Sequence, residues 1–85
     1  MNTNAPRNLE NLDCGQAASI QAMSVSAELH ARLSALGLQP GKLVEVIRRA
    51  ALGGPLHVRV GTTEVMLRRR EAARILVTPG PALAS

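Results

Sequence analysis

The stretch Arg32-Leu33-Ser34-Ala35-Leu36-Gly37-Leu38-Gln39-Pro40-Gly41-Lys42-Leu43-Val44-Glu45-Val46-Ile47-Arg48-Arg49 decides how this chain folds. Its first five residues read as a helix end and its last eight as a strand. Gly37 falls where a helix closes on a left-handed residue, because glycine has no Cβ to clash at positive φ. Pro40 forbids a return to helix, so the chain must turn there. Leu38, between the two breakers, can fold back onto the last helical turn as the apolar contact that accompanies such a cap. Pro40-Gly41 then turns the chain into the strand.

Upstream, Leu29, Leu33 and Leu36 recur at helical spacing and form one apolar stripe, with Ser24 or Ser26 as cap and Glu28 at the positive end of the helix dipole. His30 and Arg32 fall off that stripe. Before the helix, Ala17 to Met23 reads as a strand with Ala18, Ile20 and Ala22 on one face. Leu9 and Leu12 precede it as two anchors, and Asp13 to Gly15 makes a turn. Met1 to Asn8 is polar and aperiodic, so residues 1–8 are expected to be a disordered lead.

Downstream, Ala50 to Pro55 is a loop marked by Gly53, Gly54 and Pro55. Leu56 to Val60 alternates, with His57 and Arg59 outward; after a turn at Gly61 to Thr63, Val65 and Leu67 face inward, which makes a hairpin. Arg69 to Arg74 suits one helical turn, and Ile75 to Val77 a short last strand. Residues 78–85, rich in proline, are expected to be a disordered tail. Residues 9–77 then form one domain: mainly β, a small SH3-like barrel of about five strands with one inserted α-helix.

The totals agree with a small domain. A chain of 85 residues without a single aromatic must build its core from Leu, Val, Ile, Met and Ala, and at this size it buries only about 60% of the surface its unfolded form exposes. The single Cys14 and the absence of a leader-like apolar stretch lead to the expectation of a cytoplasmic, reducing location, and no apolar run is long enough to span a bilayer. Charge is lopsided: residues 1–41 carry Arg7 and Arg32 against Glu10, Asp13 and Glu28, net −1, whereas residues 42–85 carry eight Lys/Arg against Glu45, Glu64 and Glu71, net +5. Either a solvated β surface or a basic face for an acidic partner accounts for this.

Chemistry-bearing patterns are sparse. Cys14 with His30 or His57 lacks a third orienting group, so catalysis is disfavoured. One Cys and two separated His residues do not make a stable metal site, and Gly53-Gly54-Pro55 has neither the lysine nor the helix start of a phosphate loop, so no metal or cofactor is expected. Arg48, Arg49, Arg59, Arg68, Arg69, Arg70 and Arg74 could neutralise phosphates, but with no aromatic rings for base stacking nucleic-acid binding stays the rival reading.

The run Leu33 to Gly41, then Val44-Glu45-Val46, Arg48-Arg49-Ala50, Gly53-Gly54-Pro55, Leu67-Arg68, Glu71-Ala72, Ile75 and Val77 resembles the ferrous-iron transport protein A family, FeoA. The resemblance covers Leu9 to Val77. It implies a cytosolic SH3-like accessory protein that works beside FeoB, a large membrane transporter with a cytosolic GTPase domain, and supports ferrous iron uptake without any need to hold iron itself. Two positions depart from the pattern: the Gly61-Thr62-Thr63 turn lacks a large side chain, and Cys14 occupies a turn. A related barrel serves metal-dependent repressors, which keeps a regulatory module as the alternative. The protein-binding surface is then expected at Leu36, Gly37, Leu38, Pro40 and Gly41 with Arg48 and Arg49. Leu36 is expected in the core, while Leu38 and Ile47 divide evenly between core and exposed apolar surface.

Overall fold

The computed structural model describes residues 6–79. Ser26 starts helix α1 (Ala27–Ala35) by accepting a hydrogen bond from the Leu29 N–H at 3.2 Å, and Glu28 stands in its first turn. The helix ends in a Schellman turn. The Leu38 N–H bonds the Leu33 carbonyl at 2.9 Å and the Gly37 N–H that of Ser34 at 3.0 Å, with Gly37 at φ 105°. This closure sets Leu38 against Leu33, and both are buried in one core cluster. Gln39-Pro40-Gly41-Lys42 follows as a tight turn, closed by the Lys42 N–H on the Gln39 carbonyl at 3.1 Å, with Gly41 at φ 93°.

Six antiparallel strands form one sheet: β1 (Arg7–Asn8), β2 (Ala17–Met23), β3 (Leu43–Arg49), β4 (Leu56–Val60), β5 (Thr63–Leu67) and β6 (Ile75–Pro79), in the order β1-β6-β2-β3-β4-β5. A 3-10 turn (Leu9–Asn11) follows β1, and a one-turn helix α2 (Arg69–Ala72) joins β5 to β6. The Glu71 carboxylate accepts from the Arg68 N–H at 3.0 Å and so fixes the start of α2. Inward residues of the strands, among them Ile20, Val44, Val46, Leu56, Val58, Leu67, Ile75 and Val77, make the aliphatic core with Leu9, Leu12, Leu33, Leu38 and Ala72.

The mainly β architecture matches the expectation, with three corrections. The sheet has a sixth strand, because Arg7 pairs with Val77 and Asn8 with Leu76. Two residues are too few to show any periodicity in the sequence. Parts of the segments expected to be disordered are ordered: Arg7–Asn8 and Thr78–Pro79 lie in the sheet, with Thr78 opposite Ser19 and Pro79 opposite Ala18, while residues 1–5 and 80–85 fall outside the described residues. Finally, β2 does not alternate along its whole length. A register shift between Ile20 and Ala22 turns Ala22 outward and packs Met23 against the core, since one extra residue in a strand of period two reverses every later side chain. A second shift between Val46 and Arg48 falls at half-buried Ile47.

Candidate interaction surface

The segments around the helix-to-strand corner enclose an open groove of about 540 Å³. It is lined by Leu36 and Gly37 from the end of α1, by Lys42, Leu43 and Glu45 from the start of β3, by Arg59, Val60, Gly61 and Thr63 from the β4–β5 turn, and by Ala17. Two large apolar side chains stand open there: Leu36 is 40% exposed and Leu43 49%. Opposite them, Glu45 and Arg59 face each other across the β3–β4 ladder and pair at 3.0 Å. Both are partly solvated, so the pair contributes at most about 1 kcal/mol to stability but fixes charge along the wall.

The residues singled out in the sequence divide here. Leu36 and Gly37 line the groove. Leu36 thereby corrects its core expectation, because the helix stops at Ala35 and the packing place on Leu33 goes to Leu38 through the Schellman turn. Leu38 is fully buried and leaves the candidate surface. Pro40 and Gly41 are exposed beside the groove, and the Gly41 N–H anchors the corner on the Ile20 carbonyl at 2.8 Å.

Arg48 and Arg49 belong elsewhere. Arg48 is exposed three residues, roughly 10 Å, farther along the strand than Glu45. The Arg49 guanidinium is a structural clamp that donates to the carbonyls of Glu10 and Leu12, both at 2.7 Å, and ties the 3-10 turn to β3. Among the groove residues that sequence reasoning missed are Leu43, Glu45, Arg59 and Thr63. Leu43 was within reach, since Val44 and Val46 inward leaves Leu43 outward by simple alternation. The Glu45–Arg59 pairing was not, because it depends on register between two strands.

The remaining polar groups are dispersed. His57 meets Glu64 at 2.8 Å on the outer face, His30 lies 3.4 Å from the Ser34 hydroxyl, and Cys14 is exposed. Among the described residues no three His, Cys, Asp or Glu side chains converge on a point that could hold a metal ion. No described helix is long and apolar enough to cross a membrane.

With this geometry established, comparison with known proteins is informative. A family model for the FeoA domain matches residues 7–79. The chain is similar to iron(II) transport protein A from Clostridium thermocellum, at 38% identity, TM-score 0.79, covering 85% of this chain and 44% of that one. It is similar to FeoA from Chlorobium tepidum, at 30% identity, TM-score 0.84, covering 91% and 73%. A third likeness is to Stenotrophomonas maltophilia FeoA, solved with zinc and described as a prokaryotic SH3 domain protein with a suggested role in activating ferrous iron transport, at 31% identity, TM-score 0.69, covering 82% and 87%. None of the curated protein sequences matches this chain.

Proposed function

Because this chain belongs to the FeoA family, we propose that it is a non-enzymatic, cytoplasmic accessory protein of ferrous iron uptake that binds the cytosolic portion of a FeoB-type membrane transporter. The observation that supports this reading is the groove beside the end of α1, where two leucines, Leu36 and Leu43, stay open to solvent side by side in one concave site. Exposed apolar side chains gathered in a concave site with a charged margin suit a binding role. A partner segment that sets an apolar side chain between Leu36 and Leu43, and an acidic one toward Lys42, complements this lining. The groove's own ion pair, Glu45 with Arg59, is already satisfied and serves as a rigid wall.

The test is capture of the transporter's cytosolic region by wild-type protein and by Leu43→Gln. Leu43 is half exposed, so its replacement should change stability by no more than about 0.5 kcal/mol. Capture weakened about tenfold or more at unchanged melting temperature is the expected result. Equal capture by both proteins would remove the groove from the interface.

A further inference from the structure

The turn between β3 and β4 is built against the usual chemistry of surface turns. Its six residues, Ala50-Ala51-Leu52-Gly53-Gly54-Pro55, carry no polar or charged side chain. The Ala50 N–H bonds the Pro55 carbonyl at 3.0 Å and the Gly54 N–H bonds that of Ala51 at 3.1 Å, so the hairpin narrows to a two-residue tip of Leu52 and Gly53. Both tip residues have positive φ, 59° and 77°. That is the pattern of a type I′ turn, which favours Asn, Asp or Gly at its first central position. Here the position holds a leucine, 103% exposed. Neither local backbone preference nor burial explains it.

The surroundings are basic. Arg49 pairs with Leu56 and Leu56 with Leu67, so the tip stands at the end of the sheet where β3 and β5 finish. Arg48 and Arg49 end β3 on one side of it and Arg68 and Arg69 follow β5 on the other, whereas Arg70 lines a cleft against the start of α1; the Arg69 Cδ lies 3.8 Å from where a Cβ on Gly53 would sit. Arg49 is tied inward, and Arg69 pairs with Glu10 at 3.3 Å. The side chains of Arg48, Arg68 and Arg70 are exposed and have no partner among the described residues. Of the nearby acids, Glu10 is held by Arg69, and Glu71 by the Arg68 N–H with Arg32 at 3.9 Å.

We infer that this hairpin tip is a membrane-surface contact: Leu52 enters the interface of an anionic leaflet while Arg48 and Arg68 engage lipid phosphates. The lipid surface is favoured over a protein pocket by shape and charge together. The tip is convex and uncharged throughout, so it needs no complementary cavity, and the exposed Arg48 and Arg68 stand at the strand ends from which it projects. One leucine with two arginines gives reversible, salt-sensitive attachment rather than insertion. This contact is separate from the groove, and its test requires no transporter.

The experiment is co-sedimentation of the 85-residue chain with vesicles of equal phosphatidylcholine and phosphatidylglycerol, against phosphatidylcholine alone, at low and high salt. Wild type should bind the anionic vesicles at low salt and release at high salt. Leu52→Asn should lower partitioning about tenfold while its melting temperature stays at or above that of wild type, because Asn tolerates the turn better. Arg48→Gln with Arg68→Gln should lower partitioning by about fivefold per arginine removed, and Leu43→Gln should bind as wild type. No binding by wild type at low salt overturns the inference, as does equal binding by Leu52→Asn, which would mean adsorption by charge alone.

Discussion

The two turns that bracket β3 use the same backbone device to opposite ends. At the corner before the strand, each positive φ falls on a glycine, Gly37 and Gly41, and the nearby Leu38 is driven wholly into the core. At the tip after it, a leucine takes the positive φ itself and is left wholly in water. A side chain in the left-handed region costs about 1–2 kcal/mol, and at Leu52 no packing offsets that cost. The corner is organised for stability, whereas the tip carries strain that no packing within the fold offsets.

The comparison can be broken at its strongest point. Leu38→Ala removes a buried side chain from a small aliphatic core and should cost about 2–5 kcal/mol, enough to unfold a large share of the molecules; a small change in the denaturation midpoint would show that the corner leucine is not the anchor described here. Arg49→Ala leaves the carbonyls of Glu10 and Leu12 without their donor, and a loss of about 1–3 kcal/mol is expected. Amide exchange should report it first in the 3-10 turn, and uniform protection there would refute the clamp.

Gly37→Ala sharpens the contrast, because a Cβ at this glycine would meet Val60 Cγ1 at 3.6 Å, an ordinary contact. The cost should therefore be backbone strain alone, about 1–2 kcal/mol, read from the shift in melting temperature. Leu52→Gly runs the same exchange in reverse and should be neutral or stabilising by up to about 1 kcal/mol. If it destabilises instead, Leu52 is not strained and the asymmetry between the turns disappears.

The sequence carried the features that depend on neighbouring residues only. Gly37 and Pro40-Gly41 had to end a helix and turn the chain, because φ preference and the missing proline N–H are local properties. The β4–β5 hairpin, its inward set of Leu56, Val58, Val60, Val65 and Leu67, and a serine cap at Ser24 or Ser26, which falls to Ser26, were readable for the same reason. Little of the candidate groove was legible: of its lining, Leu36 and Gly37 had been named. Outside it, the leucine of the β3–β4 loop went unremarked, since a turn rich in glycine reads the same whatever its φ values.

Tertiary structure alone decided which leucine of the corner is buried, where Ala22 and Met23 point, and what Arg49 binds. Each of these turns on contacts between residues far apart in the chain. Leu38 is buried in a core assembled from β2 through β6, while Leu36 is left at the groove; the β2 side chains change faces because the register against β6 shifts; and Arg49 reaches carbonyls 37 and 39 positions away. Periodicity is a property of a segment, and burial is a property of the whole fold.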